Sequence, residues 1–239
     1  MTFFSINNSL NKSILGHYPQ VKEIIYHCDV WDEPRFVERV HFNKIDFEPI
    51  TANAVLYARS KPTDLISVVG MGFTLKLLVS TKLKEILERN RNTGLQFFKA
   101  PIIHNEQSID DYWILNFFEK SMEAINYELS DIYITHNSIR KIEKLELKSY
   151  NEFLKAKDNI DKEGYPKGIL IEKFKIKGNI HTDFLLLTDV KGGAKYIVSE
   201  NLKQEIEDAN CTGIEFQPVE LSINEWLQGG EREKIYGKS

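Results

Sequence analysis

The apolar positions of LLVSTKLKEILERNRNTGLQFF, residues 77–98, change period twice. Leu77, Leu78 and Val79 close an apolar run that begins at Leu75 and has the length of a strand. Leu83, Ile86 and Leu87 then recur at helical spacing, while Lys82, Lys84, Glu85 and Glu88 fall on the other side. The pattern predicts an amphipathic helix of about two and a half turns with its charged face in water. Ser80 stands at the N-cap position, where a hydroxyl accepts from an orphan helix N–H. Gly94 supplies the positive φ that ends a helix, and Leu95 and Phe97 alternate as a strand does. The same grammar returns in YIVSENLKQEIEDANCTGIEFQ, residues 196–217. Ile197, Ser199, Leu202, Ile206, Gly213 and Phe216 repeat Leu78, Ser80, Leu83, Leu87, Gly94 and Phe97, each 119 positions later. Cap, helix face, glycine and phenylalanine kept in one register predict a duplicated strand–helix–strand unit.

Elsewhere the alternation favours strands. EIIYHCDVW (23–31), RVHFNKIDF (39–47), AVLYAR (54–59) and YWILNFF (112–118) read as strands, with a helical turn over 119–127. A charged stretch covers 140–162, and within IRKIEKLELK the positions Ile139, Ile142, Leu145 and Leu147 fit neither period. DNIDKEGYPKG (158–168) carries Gly, Pro and charge and is expected to be a loop. GILIEKFKI alternates as a strand, and DFLLLTDV reads as a buried strand before Gly192-Gly193. The expected fold class is α+β, a single domain over 1–239 with mixed sheets and the duplicated strand–helix–strand unit near 75–100 and 194–219. No stretch rich in Pro, Gly or Ser marks a linker.

Composition narrows the classes. The chain has 239 residues, 42% hydrophobic and 28% charged, the balance of a chain that folds around a core. A net charge of −4 lacks the basic excess of a nucleic-acid binder and leaves acidic patches for a basic protein. No apolar run is long enough to span a membrane, and MTFFSINNSLNKSILGHYP has no basic start followed by an apolar core, so a cytoplasmic protein is expected. Cys28 and Cys211 are far apart and fit no metal spacing, as expected of free, buried thiols.

Candidate chemistry is sparse. Ser80 with Lys84, and Ser199 with Lys203, stand four apart like a nucleophile and its base. A capping serine already serves the helix backbone, however, and a lysine one turn on faces solvent. None of His17, His27, His41, His104, His136 and His181 forms a zinc spacing; in His27-Cys28-Asp29, strand neighbours point to opposite faces. Gly70-Met71-Gly72 lacks the third glycine and the lysine of a phosphate loop, and reads as a turn. The expectation is therefore no catalytic, cofactor-binding or metal residue, and no enzyme. Two stretches mix acids with aromatics: HCDVWDEPRF, with Asp29, Trp31, Asp32, Glu33 and Phe36, and NEQSIDDYW, with Glu106, Asp110, Asp111, Tyr112 and Trp113. Aromatic anchors ringed by carboxylates suit contact with a basic protein. Asp29, Trp31, Asp32, Glu33, Glu106, Asp110 and Asp111 are the contact candidates. The bland reading places the tryptophans in the core and the acids on loops.

A strand ending in VS, an LKE-type helix, a TG turn and a strand of the form G-[LI]-x-F-x-P-V together resemble a bacterial immunity-protein family. That family is found beside polymorphic and contact- or secretion-delivered toxins, and takes its name from a myxobacterial immunity protein domain. The matching pieces are DLISVVG, LLVSTKLKEIL, TGLQFFKAPI, YWILNFFEKSMEAINYELS and YIVSENLKQEIEDANCTGIEFQPV, spanning roughly residues 60–220. Lys99 and Ala100 depart from the Pro218 and Val219 of the second copy, and Asn126 stands where an acid is expected. The resemblance implies no shared catalytic residues and a cognate toxin as partner, bound and neutralised; the physical mechanism expected is occlusion of the toxin's active site or substrate groove. Contact residues differ between members, so none carries over. The alternatives are an enzyme that reverses a toxin-made modification, which needs polar groups meeting in one pocket, and a scaffold module, which needs a broad apolar oligomer surface.

Overall fold

Ser80 and Ser199 each end a strand at the first turn of a helix, and each is tied to an aspartate 16 residues before it. Ser80 donates to Asp64 Oδ1 at 2.7 Å and Ser199 to Asp183 Oδ1 at 2.5 Å. The backbone N–H of each serine also donates to the carbonyl of the same aspartate, at 2.8 Å in both cases. Asp64 and Asp183 are themselves 119 positions apart, so the repeat reaches upstream of the segment in which the sequence shows it.

The computed structural model describes residues 1–68, 76–138 and 140–238. In chain order the strands are β1 (Phe3–Asn8), β2 (Val21–Ile25), β3 (Asn53–Leu56), β4 (Leu65–Ile66), β5 (Leu77–Ser80), β6 (Leu95–Lys99), β7 (Ile102–His104), β8 (Gln107–Ile109), β9 (Tyr112–Phe117), β10 (Asp131–His136), β11 (Arg140–Leu145), β12 (Lys167–Lys173), β13 (Phe184–Val190), β14 (Gly193–Ser199) and β15 (Ile214–Pro218). The helices are α1 (Lys12–Leu15), α2 (Thr81–Asn90), α3 (Tyr150–Glu163), α4 (Glu200–Asp208), α5 (Ile223–Leu227) and α6 (Glu231–Tyr236). The content is α+β with mixed sheets. The chain divides into two compact units, one of Met1–Ser5, Lys120–Glu200 and Gln217–Arg232, the other of Ile6–Glu119, Asn201–Phe216 and Glu233–Ser239.

In the second of these units, β4-β5-β9-β6 form an antiparallel sheet and β2-β3-β7-β8 a mixed one in which β3 and β7 run parallel. Ile66, Leu78, Phe98 and Ile114 of the first sheet share a core with Ala54, Leu56 and Ile102 of the other. In the first unit, β11-β10-β12-β13-β14 lie side by side, with β12 and β13 parallel, and Phe3–Ser5 pairs onto β14. Its core gathers Phe3, Tyr127, Phe153, Ile171, Phe174, Leu185, Leu187 and Ile197.

Both copies of the repeat keep one register. Leu65 faces Val79 and Ile66 faces Leu78, while Phe184 faces Val198 and Leu185 faces Ile197. In the first copy β9, which follows in sequence, is the strand between β5 and β6. In the second copy that place belongs to β1, from the start of the chain. Hydrogen bonds correspond as well. Phe118 N donates to the Gly94 carbonyl as Ser9 N does to that of Gly213, and Ala100 N donates to Tyr112 as Val219 N does to Phe3. The duplicated unit is thus four strands and a helix, completed by a strand that is near in sequence in the first copy and far from its partners in the second.

Ser80 accepts from Leu83 N at 3.2 Å, so it is the expected cap. Replacing it by Ala removes both that bond and the one to Asp64. The expected loss is about 1–3 kcal/mol in urea unfolding, and a loss near zero would show that the cap is dispensable.

Several expectations are corrected. Lys84 and Lys203 do not face bulk water. Lys84 Nζ binds Glu88 at 2.6 Å and lies 4.9 Å from the Trp113 ring and 5.3 Å from Phe97; Lys203 binds Glu207 at 3.0 Å over Phe216. Aromatic faces attract the ammonium while the stem covers apolar surface. DNIDKEGYPKG is helical through Glu163, because Phe153 and Ile160, seven apart, bury one stripe and Ser149 caps the start. The turn is confined to 164–166. RVHFNKIDF forms no strand: Val37 and Val40, three apart, bury in a 3₁₀ turn, and His41 at φ 45° breaks the chain direction. EIIYHCDVW leaves the sheet after Ile25. Cys28 and Cys211 are free but only half-buried. The Gly70-Met71-Gly72 turn, Leu75 and Ile139 lie outside the described residues.

Candidate protein-docking face

β2 ends at Ile25, and the loop that follows is built by its own acids. Asp29 Oδ1 accepts from Trp31 N at 2.8 Å, and the Asp29 carbonyl accepts from Glu33 N at 2.9 Å, a self-bonded aspartate turn. Glu33 Oε1 accepts from Arg35 N at 3.0 Å. Arg39, in the 3₁₀ turn, donates Nε and Nη2 to the Val30 carbonyl at 3.3 and 3.2 Å and pins the loop from below. The loop so held projects Trp31, whose side chain is 81% exposed. Asp32 is exposed beside it.

Behind Trp31 lies a groove of about 410 Å³ lined by Tyr26, Val30, Trp31, Phe36, Glu38, Arg39 and His41. Tyr26 meets the buried Phe36 edge-on at 5.9 Å. Phe36 is in turn fixed by a parallel bridge to Ile50. Glu38 is the unusual member. Its Oε1 is buried without a hydrogen-bond donor, and the Lys76 ammonium, itself buried, stands 3.9 Å away. Burial outweighs the attraction of Lys76 and raises the carboxyl from an ordinary 4.5 to about 7; burial also lowers Lys76. Between those values the folded chain holds a proton that the unfolded chain releases. Glu38 therefore costs stability progressively as pH rises from 4.5 to about 7. Glu38→Gln mimics the protonated form, so it is expected to gain on the parent through that window in urea unfolding. A difference that stays flat with pH would contradict this account.

The second acidic stretch splits. The β7–β8 turn is Asn105-Glu106, both at positive φ, the two-residue form that matches strand twist. Ile25 faces Asn53, Ala54 faces Ile102, and Ile102 faces Ile109. By this register, the loop after β2 and the Asp110-Asp111 link after β8 leave the sheet at one end, about 14 Å apart across three strand spacings. Glu106 leaves at the opposite end. Asp111 is bound to α2, accepting from Thr81 Oγ1 at 2.8 Å, and Trp113 Nε1 donates to the same hydroxyl at 2.9 Å. With Lys84 and Lys99 at 4.9 and 4.3 Å from its ring, Trp113 is a packed residue. The structure thus brings Asp29, Trp31, Asp32, Glu33, Asp110 and Asp111 to one end of the sheet and leaves Glu106 apart.

Tyr26, Val30, Glu38, Arg39 and His41 were not readable as a site, because reading 23–31 and 39–47 as two extended strands hides the loop after Ile25 and the 3₁₀ turn at 37–40 that bring them together. Among the described residues no group of three His, Cys, Asp or Glu could hold a metal ion, and no helix is long and apolar enough to cross a membrane.

Compared with known families, the chain matches the model of an immunity protein family, Imm11, over residues 2–163. That stretch contains the Trp31 loop, both four-stranded sheets of the second unit and the first copy of the repeat. It ends before the second copy, whose GIEFQPV strand supplied part of the resemblance read over 60–220. No curated protein matches the chain.

Proposed function

Because the chain belongs to the Imm11 immunity protein family, we propose that it binds a cognate toxin of a polymorphic or delivered toxin system and neutralises it by covering the toxin's active site or substrate groove. On this reading the protein is a cytoplasmic inhibitor that acts by binding rather than catalysis, and its two compact units serve as one immunity domain. The observation that carries the contact surface is Trp31, 81% exposed above an apolar groove. A tryptophan so placed gives nothing to the core, yet offers the large, rigid area on which interface energy concentrates. Asp29, Asp32 and Glu33 around it, with Asp110 and Asp111 at the same end of the sheet, add the charge that steers a basic partner. Glu106, at the opposite end, belongs to a second and lesser contact at most.

The test is expression of the product of the adjacent gene alone and together with this protein. Growth arrest relieved by co-expression, with a complex that survives size exclusion, is expected. A harmless neighbour, or toxicity relieved with no complex formed, would end the binding reading.

A further inference from the structure

We propose that the Trp31 groove receives a basic side chain of the partner, an arginine or lysine whose stem lies along Tyr26, Val30, Trp31 and Phe36 and whose cationic head meets the Glu38 carboxylate. This rests on reading that face as the toxin contact. Three observations converge on it.

First, the groove has an aliphatic and aromatic wall, the surface that a long basic side chain covers with its methylenes, and its aromatic faces attract the charge. Second, among the described residues Glu38 accepts no hydrogen bond. Oε1 faces Lys76 at 3.9 Å, too long for a hydrogen bond, and is fully buried, while Glu38 as a residue is half-buried and lines the groove. A carboxylate in apolar surroundings without donors is poorly stabilised, and a guanidinium or ammonium brings charge and donors together. Third, the charged groups facing Glu38 do not complete it. The Arg39 guanidinium is engaged on the Val30 carbonyl, Lys76 lies beyond bonding distance, and His41 lines the same groove without a bond to the carboxylate. Asp29, Asp32 and Glu33 on the loop add negative charge around the mouth, which favours a cation over a neutral or acidic guest.

The groove can be probed without the toxin. N-acetyl-arginine amide is titrated against the full-length protein, with N-acetyl-norleucine amide as the uncharged comparison, and binding is followed by tryptophan fluorescence and NMR shifts. The arginine probe is expected to bind with a dissociation constant on the order of a millimolar, and the norleucine probe at least about tenfold more weakly. The double variant Glu38→Gln/Lys76→Met removes both charges, so no unpaired ammonium stays buried, and its unfolding midpoint reports that it folds. It is expected to lose the preference for arginine. Equal binding of the two probes, or a preference that survives in the double variant, would overturn the proposal and make the groove an apolar slot. With the cognate toxin, a complex weakened by both Trp31→Ala and the double variant supports it. A complex weakened by Trp31→Ala alone overturns the basic anchor and leaves the face intact. A complex indifferent to Trp31→Ala removes the face, and the anchor with it.

Discussion

Trp31→Ala is expected to weaken the complex with the cognate toxin by about 30-fold to 1,000-fold while leaving the urea-unfolding midpoint of the free protein unchanged. The factor corresponds to the roughly 2–4 kcal/mol of an interface hot spot. The separation of the two readouts follows from geometry. Among the described residues only the backbone N–H of Trp31 is engaged, on Asp29, and the residue is 81% exposed, so truncation removes no core contact. Trp113→Ala is the counter-example. Its indole is bonded to Thr81 and lies against two lysines, so its loss should lower stability and affect binding only through the fold. Calorimetric titration of the toxin into each variant checks the contrast. A Trp31→Ala protein that binds with unchanged affinity would remove the proposed face.

The largest stability effect is expected at Gly213. A Cβ there would lie 2.4 Å from the Leu65 carbonyl oxygen and 2.7 Å from the Thr63 Cβ, on a backbone at φ +83°. Neither obstacle can swing away. Leu65 N donates to the Thr212 carbonyl at 3.1 Å, and Asp64 accepts from Thr212 N at 2.7 Å, so the two strands are locked at this approach. Gly213→Ala is expected to cost about 3 kcal/mol or more, combining left-handed strain with backbone displacement. Gly94, the same position of the other copy, has a similar φ of +79°, but its Cβ would meet no backbone atom first: it would lie 2.7 Å from both the Cβ and the carboxylate Oε2 of the exposed Glu119. The carboxylate can turn aside, but the Glu119 Cβ moves only with its backbone, so Gly94→Ala should cost about 2 kcal/mol, less than Gly213→Ala because no strand carbonyl stands in the way. Urea unfolding of the two variants side by side measures the difference, and equal losses would show that the approach to Leu65 is not rigid.

This pair shows what was legible in the sequence. TG at one register predicts a positive φ in both copies, because glycine is needed wherever the chain turns left-handed. It does not reveal that one glycine lies against a strand carbonyl and the other against the exposed Glu119 side chain. The serine caps were readable for the same local reason, whereas Asp64 and Asp183 were not, since their partners lie across a hairpin. The helix of 150–163 was misread because its ion pairs and polar faces hide a stripe of two buried residues, Phe153 and Ile160. For the docking face, the sequence marked Trp31 and its acids but could not choose between core and surface. Asp29 and Glu33 proved to shape the loop as well as charge it, and Glu106 left the set because register, not composition, decides the end of a sheet at which a turn emerges.

The residue pattern alone carries the local grammar: the duplicated strand, capped helix, glycine turn and strand, the α+β class and the likeness to an immunity family. The unit and the class follow from periodicity, capping and backbone freedom, which act within a few residues, whereas the likeness rests on the matching motifs themselves. Tertiary packing was needed to show that β1 completes the second copy, that Trp31 is exposed over a groove, and that Glu38 stands in it without a hydrogen-bond donor among the described residues. Each of these depends on which residues distant in the chain share one space, and burial, hydrogen-bond satisfaction and carboxyl charge are set by that neighbourhood.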